Sequence, residues 1–159
     1  MRRFHLTTPE DTEALGTAVA KLARPGAVFA VFGPLGAGKT CLARGLIRAL
    51  QPEVPEDIVS PTFTLVQTYD TAAGPVWHFD LYRLKHPDEA IELGYEDALA
   101  DICVIEWPER LGRLLPAGRI DIVLAHAGPG RVATITGHGS FADAVKMMTT
   151  TLPEASANP

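Results

Sequence analysis

Apolar residues recur along this chain with two different periods. Leu15, Val19 and Leu22 return at helical spacing behind Thr8-Pro9-Glu10-Asp11, which has the form of a helix start: Thr8 as N-cap, Pro9 in the first helical position, acids in the first turn. The spacing predicts a helix from there to about Leu22, ended by Arg24-Pro25-Gly26. Leu42, Leu46, Ile47 and Leu50 mark a second helix. Between the two, Val28-Phe29-Ala30-Val31-Phe32 is an apolar run suited to a buried strand. Ile102-Cys103-Val104-Ile105 is another, with the character of a strand covered on both faces. Shorter signals fill in the rest. Residues 2–6 predict a short strand, and residues 63–69 and 76–79 predict an antiparallel pair joined by a turn at 71–74. His86-Pro87-Asp88-Glu89 opens a helix that faces Ala90, Ile91 and Leu93 inward and stops at Gly94. A short helix is predicted over 108–115, late strands of a mixed sheet over 120–124 and 132–136, and a last helix capped by Ser140 that runs to Met148.

Two stretches lack such periodicity. Residues 51–60, with Pro52 and Pro55, read as an exposed, mobile loop. Residues 149–159 are small and polar and read as a disordered tail, leaving 1–148 as a single domain. A chain of 159 residues buries about two-thirds of its unfolded surface without disulfides. Cys41 and Cys103 accordingly read as small buried hydrophobes, in keeping with a reducing compartment. The first residues are basic but lack an apolar segment behind them, and no run approaches membrane-spanning length, so the expected location is the cytoplasm, without a membrane anchor. With 19 acidic and 14 basic residues the formal charge is −5. That balance argues against a protein that grips DNA or RNA by itself, because such binding rests on many Lys and Arg contacts to phosphates.

The candidate chemistry centres on Gly33-Pro34-Leu35-Gly36-Ala37-Gly38-Lys39-Thr40, which fits the phosphate-loop pattern and lies between a predicted strand and a predicted helix. Its glycines let successive N–H groups converge on phosphate oxygens, Lys39 reaches the outer phosphates, and the Thr40 hydroxyl is suited to a magnesium ion riding on them. Such chemistry also requires a carboxylate at the end of an apolar strand beside the loop. Two residues qualify. Asp80 ends one predicted strand and Glu106 the other, and Glu106 is favoured because its strand is the more purely apolar. Thr62 follows the Pro-containing stretch, where a closing segment could bring a hydroxyl to the metal or the outer phosphate; strand propensity accounts for it equally well. Trp107 suits either shielding of the site or core packing. His78 reads as a core or supporting histidine, and Arg44 and Arg83 are further sources of positive charge. The Asn-Lys-any-Asp signature for guanine is missing, and the only asparagine is Asn158, so adenine is the expected base.

Taken together, these motifs resemble one family, the bacterial TsaE (formerly YjeE) proteins. The resemblance covers most of residues 5–140. It rests on Gly33 to Thr40, on Ser60-Pro61-Thr62-Phe63-Thr64-Leu65-Val66, on His78-Phe79-Asp80-Leu81-Tyr82-Arg83-Leu84, and on Glu106-Trp107-Pro108-Glu109-Arg110, in that order. It implies an α/β fold, a P-loop NTPase-like three-layer sandwich with a mixed, partly antiparallel sheet, which binds ATP with Mg2+. It further implies a weak, partner-dependent ATPase that supports threonylcarbamoyl modification of the adenosine next to the anticodon in tRNA. The implied partners are TsaD and TsaB, with tRNA reached through the complex and the transfer chemistry carried by a partner. Carried over by position, Lys39, Thr62, Asp80 and Glu106 are the catalytic residues. Gly33, Pro34, Leu35, Gly36, Ala37, Gly38, Lys39 and Thr40 bind the nucleotide, Thr40 and Glu106 hold the metal, and Trp107, which follows the metal ligand, is a further nucleotide-binding residue. Pro9 and Thr12 fall near the adenine side. Position 34 is often acidic in the family and Cys41 stands where a second Thr is common. The same loop also suits a small-molecule kinase, although 51–60 lacks the arginines of a kinase lid, or a binding module gated by nucleotide.

Overall fold

In the computed structural model, which describes residues 1–51, 58 and 61–156, the capping pattern at Thr8 sets the first helix, α1 (Pro9–Ala20). Thr8 Oγ1 accepts from the Asp11 N–H at 3.2 Å, and the Asp11 carboxylate accepts from the Thr8 N–H at 3.1 Å. This reciprocal pair satisfies two of the N–H groups that a helix start leaves free. The second helix, α2 (Lys39–Leu50), begins inside the phosphate-loop motif and packs on α1. Missing side chains allow the close crossing. A Cβ at Gly16 would overlap the Leu42 carbonyl, and one at Gly45 would overlap the Glu13 carbonyl.

Among the described residues the sheet has seven strands: β1 (Arg2–Leu6), β2 (Val28–Phe32), β3 (Val66–Thr71), β4 (Gly74–Asp80), β5 (Ile102–Glu106), β6 (Ile120–Ala127) and β7 (Gly130–Gly137), in the order β1-β7-β6-β2-β5-β4-β3. The centre is parallel, β2 with β5 and β6, and β4 with β5. The edges are antiparallel, β3 on β4, β7 on β6 and β1 on β7. This is the mixed sheet expected from the sequence. Helices α1 and α2 cover one face; α3 (Glu89–Glu92), α4 (Tyr95–Ala98) and a 3₁₀ segment (Pro108–Leu114) contribute to the other.

The period of two along each strand sorts the core into these layers. Phe29 and Val31 of β2, with Ile102 and Val104 of β5, join Leu42, Leu46 and Ile47 of α2 in one cluster. Val28, Cys103 and Ile105 join Phe79, Tyr95 and Leu111 in the other. Continuing the alternation puts Glu106 on the α2 side. In β4 it does the same for His78 and Asp80, which follow Val76 of the α2-side cluster at steps of two. Both acids end their strands at the same level, since Asp80 pairs with Glu106 in the parallel register.

Four local expectations are corrected. The strand expected from Phe63 begins at Val66: Leu65 takes a positive φ of 66° and its N–H bonds to the Pro61 carbonyl, so 61–65 turns and Phe63 is left exposed. Helix α3 is only four residues long, and Ile91 faces out while Ala90 is buried. Ser140 does not cap the last helix. It sits inside a 3₁₀ turn (Gly139–Phe141), accepts from Arg24 Nη2 at 3.0 Å, and leaves α5 (Ala142–Met147) without a side-chain cap.

The tail is the fourth. Residues 153–155, expected to be disordered, return along the free edge of β1. The His5 N–H bonds the Pro153 carbonyl at 3.2 Å, the Ala155 N–H bonds the Arg3 carbonyl at 2.8 Å, and Arg2 pairs with Glu154 at 3.0 Å. An edge strand carries unpaired backbone groups, and the tail satisfies them where apolar periodicity gave no sign of it. The loop expected over 51–60 lies outside the described residues except for Gln51 and Ile58. No helix among the described residues is long and apolar enough to cross a membrane.

Candidate nucleotide site

The strand–loop–helix unit places the phosphate-loop motif at the C-terminal ends of β2 and β5, where open α/β sheets bind ligands. Gly36 (φ 76°) and Gly38 (φ 99°) take left-handed conformations that side-chain-bearing residues rarely adopt. Gly33 is held for a second reason: a Cβ there would come within 2.7 Å of the Leu124 carbonyl on β6. Ala37 is fully buried beneath the loop.

A cleft of about 340 Å³ opens beside this loop. Leu35, Gly36, Gly38, Lys39 and Thr40 line one wall, and Thr62, Asp80, Tyr82, Glu106 and Trp107 face it. Every residue expected to be catalytic or to bind metal is therefore in one place. The Thr40 hydroxyl donates to Glu106 Oε1 at 2.8 Å. The second Glu106 oxygen lies 2.7 Å from Nε2 of His78, which is fully buried. Thr62 Oγ1 donates to an Asp80 oxygen at 3.4 Å, and the other Asp80 oxygen accepts from the Tyr82 N–H at 3.1 Å. These oxygens suit a hard cation such as magnesium, which typically takes one or two carboxylates and completes its shell with phosphate and water.

Lys39 is turned back onto its own loop. Its ammonium donates to the carbonyls of Gly33 at 2.7 Å and Pro34 at 2.8 Å, and sits 4.0 Å from the centre of the Trp107 ring. Burial pushes its pKa below the usual 10.5, opposed by the negative charges of Glu106, Glu109 and Asp80. Trp107 holds its ring there at a cost in backbone strain, since its φ of 59° is unusual for a bulky residue. Its ring also meets Tyr82, centroid to centroid at 4.9 Å.

Other expected positions lie elsewhere. Pro9 is not in the cleft. It borders a second, smaller cavity of about 180 Å³ between the β1–α1 and β6–β7 turns. Thr12 is fully buried under that region. Arg44 donates to the Ile58 carbonyl at 3.2 Å, and Arg83 stacks on Phe63 at 4.8 Å, so neither lines the cleft. The arginine that does is Arg131, in β7, which borders both cavities. No motif in the sequence marked it. Tyr82 stood inside a quoted motif but had no role assigned from its spacing.

The profile of the family described as "Threonylcarbamoyl adenosine biosynthesis protein TsaE" matches residues 6–132. The chain belongs to the TsaE family. It is 41% identical to the tRNA threonylcarbamoyladenosine biosynthesis protein TsaE of Rickettsia felis, over 75% of this chain and 70% of the relative. The TsaE protein of Bacillus subtilis is 33% identical, with 87% of each chain covered. The crystal structure of Bacillus subtilis YdiB superposes with a TM-score of 0.76 at 28% identity, over 91% of this chain and 90% of that one. TsaE membership gives the sheet and loop above a P-loop NTPase-like identity. It also places the chain's role in threonylcarbamoyladenosine biosynthesis, which the relatives' names locate in tRNA.

Proposed function

We propose that this chain binds ATP with Mg2+ in the cleft beside Gly33–Thr40 and hydrolyses it slowly, in support of threonylcarbamoyl modification of the adenosine next to the anticodon. The observation that carries the reading is the convergence of Lys39, Thr40, Thr62, Asp80 and Glu106 on one cleft at the mouth of a phosphate loop. In this reading the loop N–H groups and the positive end of α2 bind the phosphates. Lys39 leaves the Gly33 and Pro34 carbonyls for the outer phosphates. Its present partners are uncharged, and phosphate oxygens are stronger acceptors for an ammonium.

Thr40 and Glu106 would hold the metal, whose charge offsets that developing on the transferred phosphoryl group. His78 keeps Glu106 in place, with one oxygen engaged and the other facing Thr40. Thr62 and Asp80, on the opposite wall, are placed to orient the attacking water; Asp80 is the acceptor there. Trp107 and Tyr82 limit water at the mouth. Because His78 is fully buried and occupied by Glu106, it is not exposed to take a proton from that water, which supports slow turnover by the chain alone.

Partners complete the reading. TsaD and TsaB are the proposed assembly, tRNA is contacted through them, and the threonylcarbamoyl transfer is the partner's chemistry. The chain's formal charge of −5 suits this division of labour. The test is reconstitution with TsaD, TsaB, tRNA and threonylcarbamoyl-adenylate, with the chain present, omitted, or carrying Lys39→Ala. Multiple-turnover modification that needs the intact chain, with free phosphate released from ATP, is the expected result. Labelled phosphate on a small acceptor would identify a kinase instead. Full modification with a hydrolysis-dead chain that still binds ATP would identify a gate that works by binding alone.

A further inference from the structure

Arg131 reaches the phosphate-loop helix from β7, two strands away from β2 in the sheet. It follows the same alternation that buries Ala133 and Ile135 on the face covered by α1 and α2, so the strand aims its side chain at those helices. Its guanidinium lies against the first turn of α2: a Cβ added to Gly38 would fall 2.6 Å from Nη1 and 3.0 Å from Cζ. Its protein hydrogen bond is from Nη1 to the buried Thr12 hydroxyl, at 3.3 Å. Among the described residues no carboxylate forms an ion pair with it. A cation at the positive end of a helix dipole, beside the loop that also holds the Lys39 ammonium, is electrostatically unfavourable in the absence of an anion. Four of the five guanidinium donors are left without a protein acceptor among the described residues.

Position decides which anion. The Glu106, Asp80 and Thr62 oxygens and the Lys39 ammonium lie around the outer end of the cleft, whereas Arg131 stands between this cleft and the smaller cavity bordered by Thr7, Thr8, Pro9 and His126. Since Arg131 lines both cavities, a nucleotide with its outer phosphates at Lys39 and its nucleoside toward the smaller cavity would pass this guanidinium. We infer that Arg131 binds the phosphate nearest the nucleoside, and so anchors mono-, di- and triphosphates alike. The inference rests on the nucleotide reading above and assigns a residue to it.

The test separates the inner phosphate from the outer ones. Affinities of the full chain for AMP, ADP, ATP and adenosine are measured by competition against a fluorescent nucleotide, for the wild type, Arg131→Gln, Arg131→Lys and Lys39→Ala. Arg131→Gln is expected to weaken AMP, ADP and ATP by a common factor of about tenfold, the worth of one charge-assisted hydrogen bond, and to leave adenosine unchanged. Arg131→Lys recovers part of the loss. Lys39→Ala weakens ADP and ATP and spares AMP. The assignment is overturned if Arg131→Gln, with an unfolding midpoint like the wild type, leaves AMP affinity within about twofold under the same arithmetic, if it weakens ATP alone, or if Arg131→Lys loses as much AMP affinity as Arg131→Gln. A wild-type chain that binds none of the nucleotides overturns the nucleotide reading itself, and this assignment with it.

Discussion

The Thr40 hydroxyl donates to Oε1 of Glu106 at 2.8 Å, which ties the first turn of the phosphate-loop helix to the end of a fully buried strand. The two residues are 66 positions apart in sequence. If they share a metal, replacing the carboxylate removes the metal dependence while leaving the loop's own phosphate contacts. Glu106→Gln is expected to lower phosphate release by at least about a hundredfold, more than the loss of an outer-shell partner costs. Nucleotide affinity measured with a chelator present should stay close to wild type. Equal loss of both would mean that Glu106 supports the loop and not the ion.

His78 has no exposed surface, and its Nε2 meets the second Glu106 oxygen at 2.7 Å. Its Nδ1 is buried without a partner among the described residues, so the ring is held chiefly for its bond to Glu106. His78→Phe fills much of the space but removes that donor. A destabilisation of about 1–3 kcal/mol in urea unfolding is expected, from a buried carboxylate oxygen left short of a partner. In a double-mutant cycle, pairing His78→Phe with Glu106→Gln should cost less than the sum of the two single changes. Strict additivity would show that the two side chains do not act as a unit.

What the sequence disclosed follows local rules. The strand–loop–helix frame at 28–50 was legible because one apolar run, one glycine pattern and one helical spacing adjoin. Glu106 and Asp80 were legible because each ends an apolar run, and the alternation within those runs then carries both acids to the α2 face. Arg131 was not, because its place beside the loop comes from β7 lying two strands from β2 in the sheet, a relation between strands far apart in the chain. The same is true of the tail: 153–155 has no apolar period, and what orders it is the open edge of β1. Ile91 and Ser140 failed for the reverse reason. Each had a plausible local pattern that tertiary packing overrode.

Gly16 and Gly45 also gave no local sign, yet they set how closely α1 and α2 approach. In an exposed helix, Gly45→Ala would gain about 0.8–1.0 kcal/mol from helix propensity. Here the new Cβ would overlap the Glu13 carbonyl, and a backbone atom inside a helix cannot step aside as a flexible side chain can. Overpacking of this kind costs about 1–3 kcal/mol, so the net change should be destabilising. The expected readout is a lower denaturant midpoint for Gly45→Ala, against a change within about 0.5 kcal/mol for Gly118→Ala, where a Cβ meets nothing within 4 Å. A Gly45→Ala chain as stable as the wild type would show that the crossing relaxes freely.

Lys39 provides a pH test of the loop. Burial lowers its pKa in the folded chain below 10.5, against the opposing pull of Glu106, Glu109 and Asp80. The unfolded chain therefore holds this proton more tightly than the folded one, and stability rises with pH wherever that is so. At neutral pH the charged ammonium costs the fold some stability, and the cost disappears as pH rises from the folded pKa through 10.5. Urea unfolding of the wild type and of Lys39→Met should consequently diverge in that window, with the wild type gaining relative to the variant. Bound nucleotide phosphates would stabilise the ammonium and raise its pKa, so saturating ADP should flatten the gain. A wild type that instead loses ground to Lys39→Met as pH approaches 10.5 would mean that the Gly33 and Pro34 carbonyls and nearby acids already outweigh burial at this lysine.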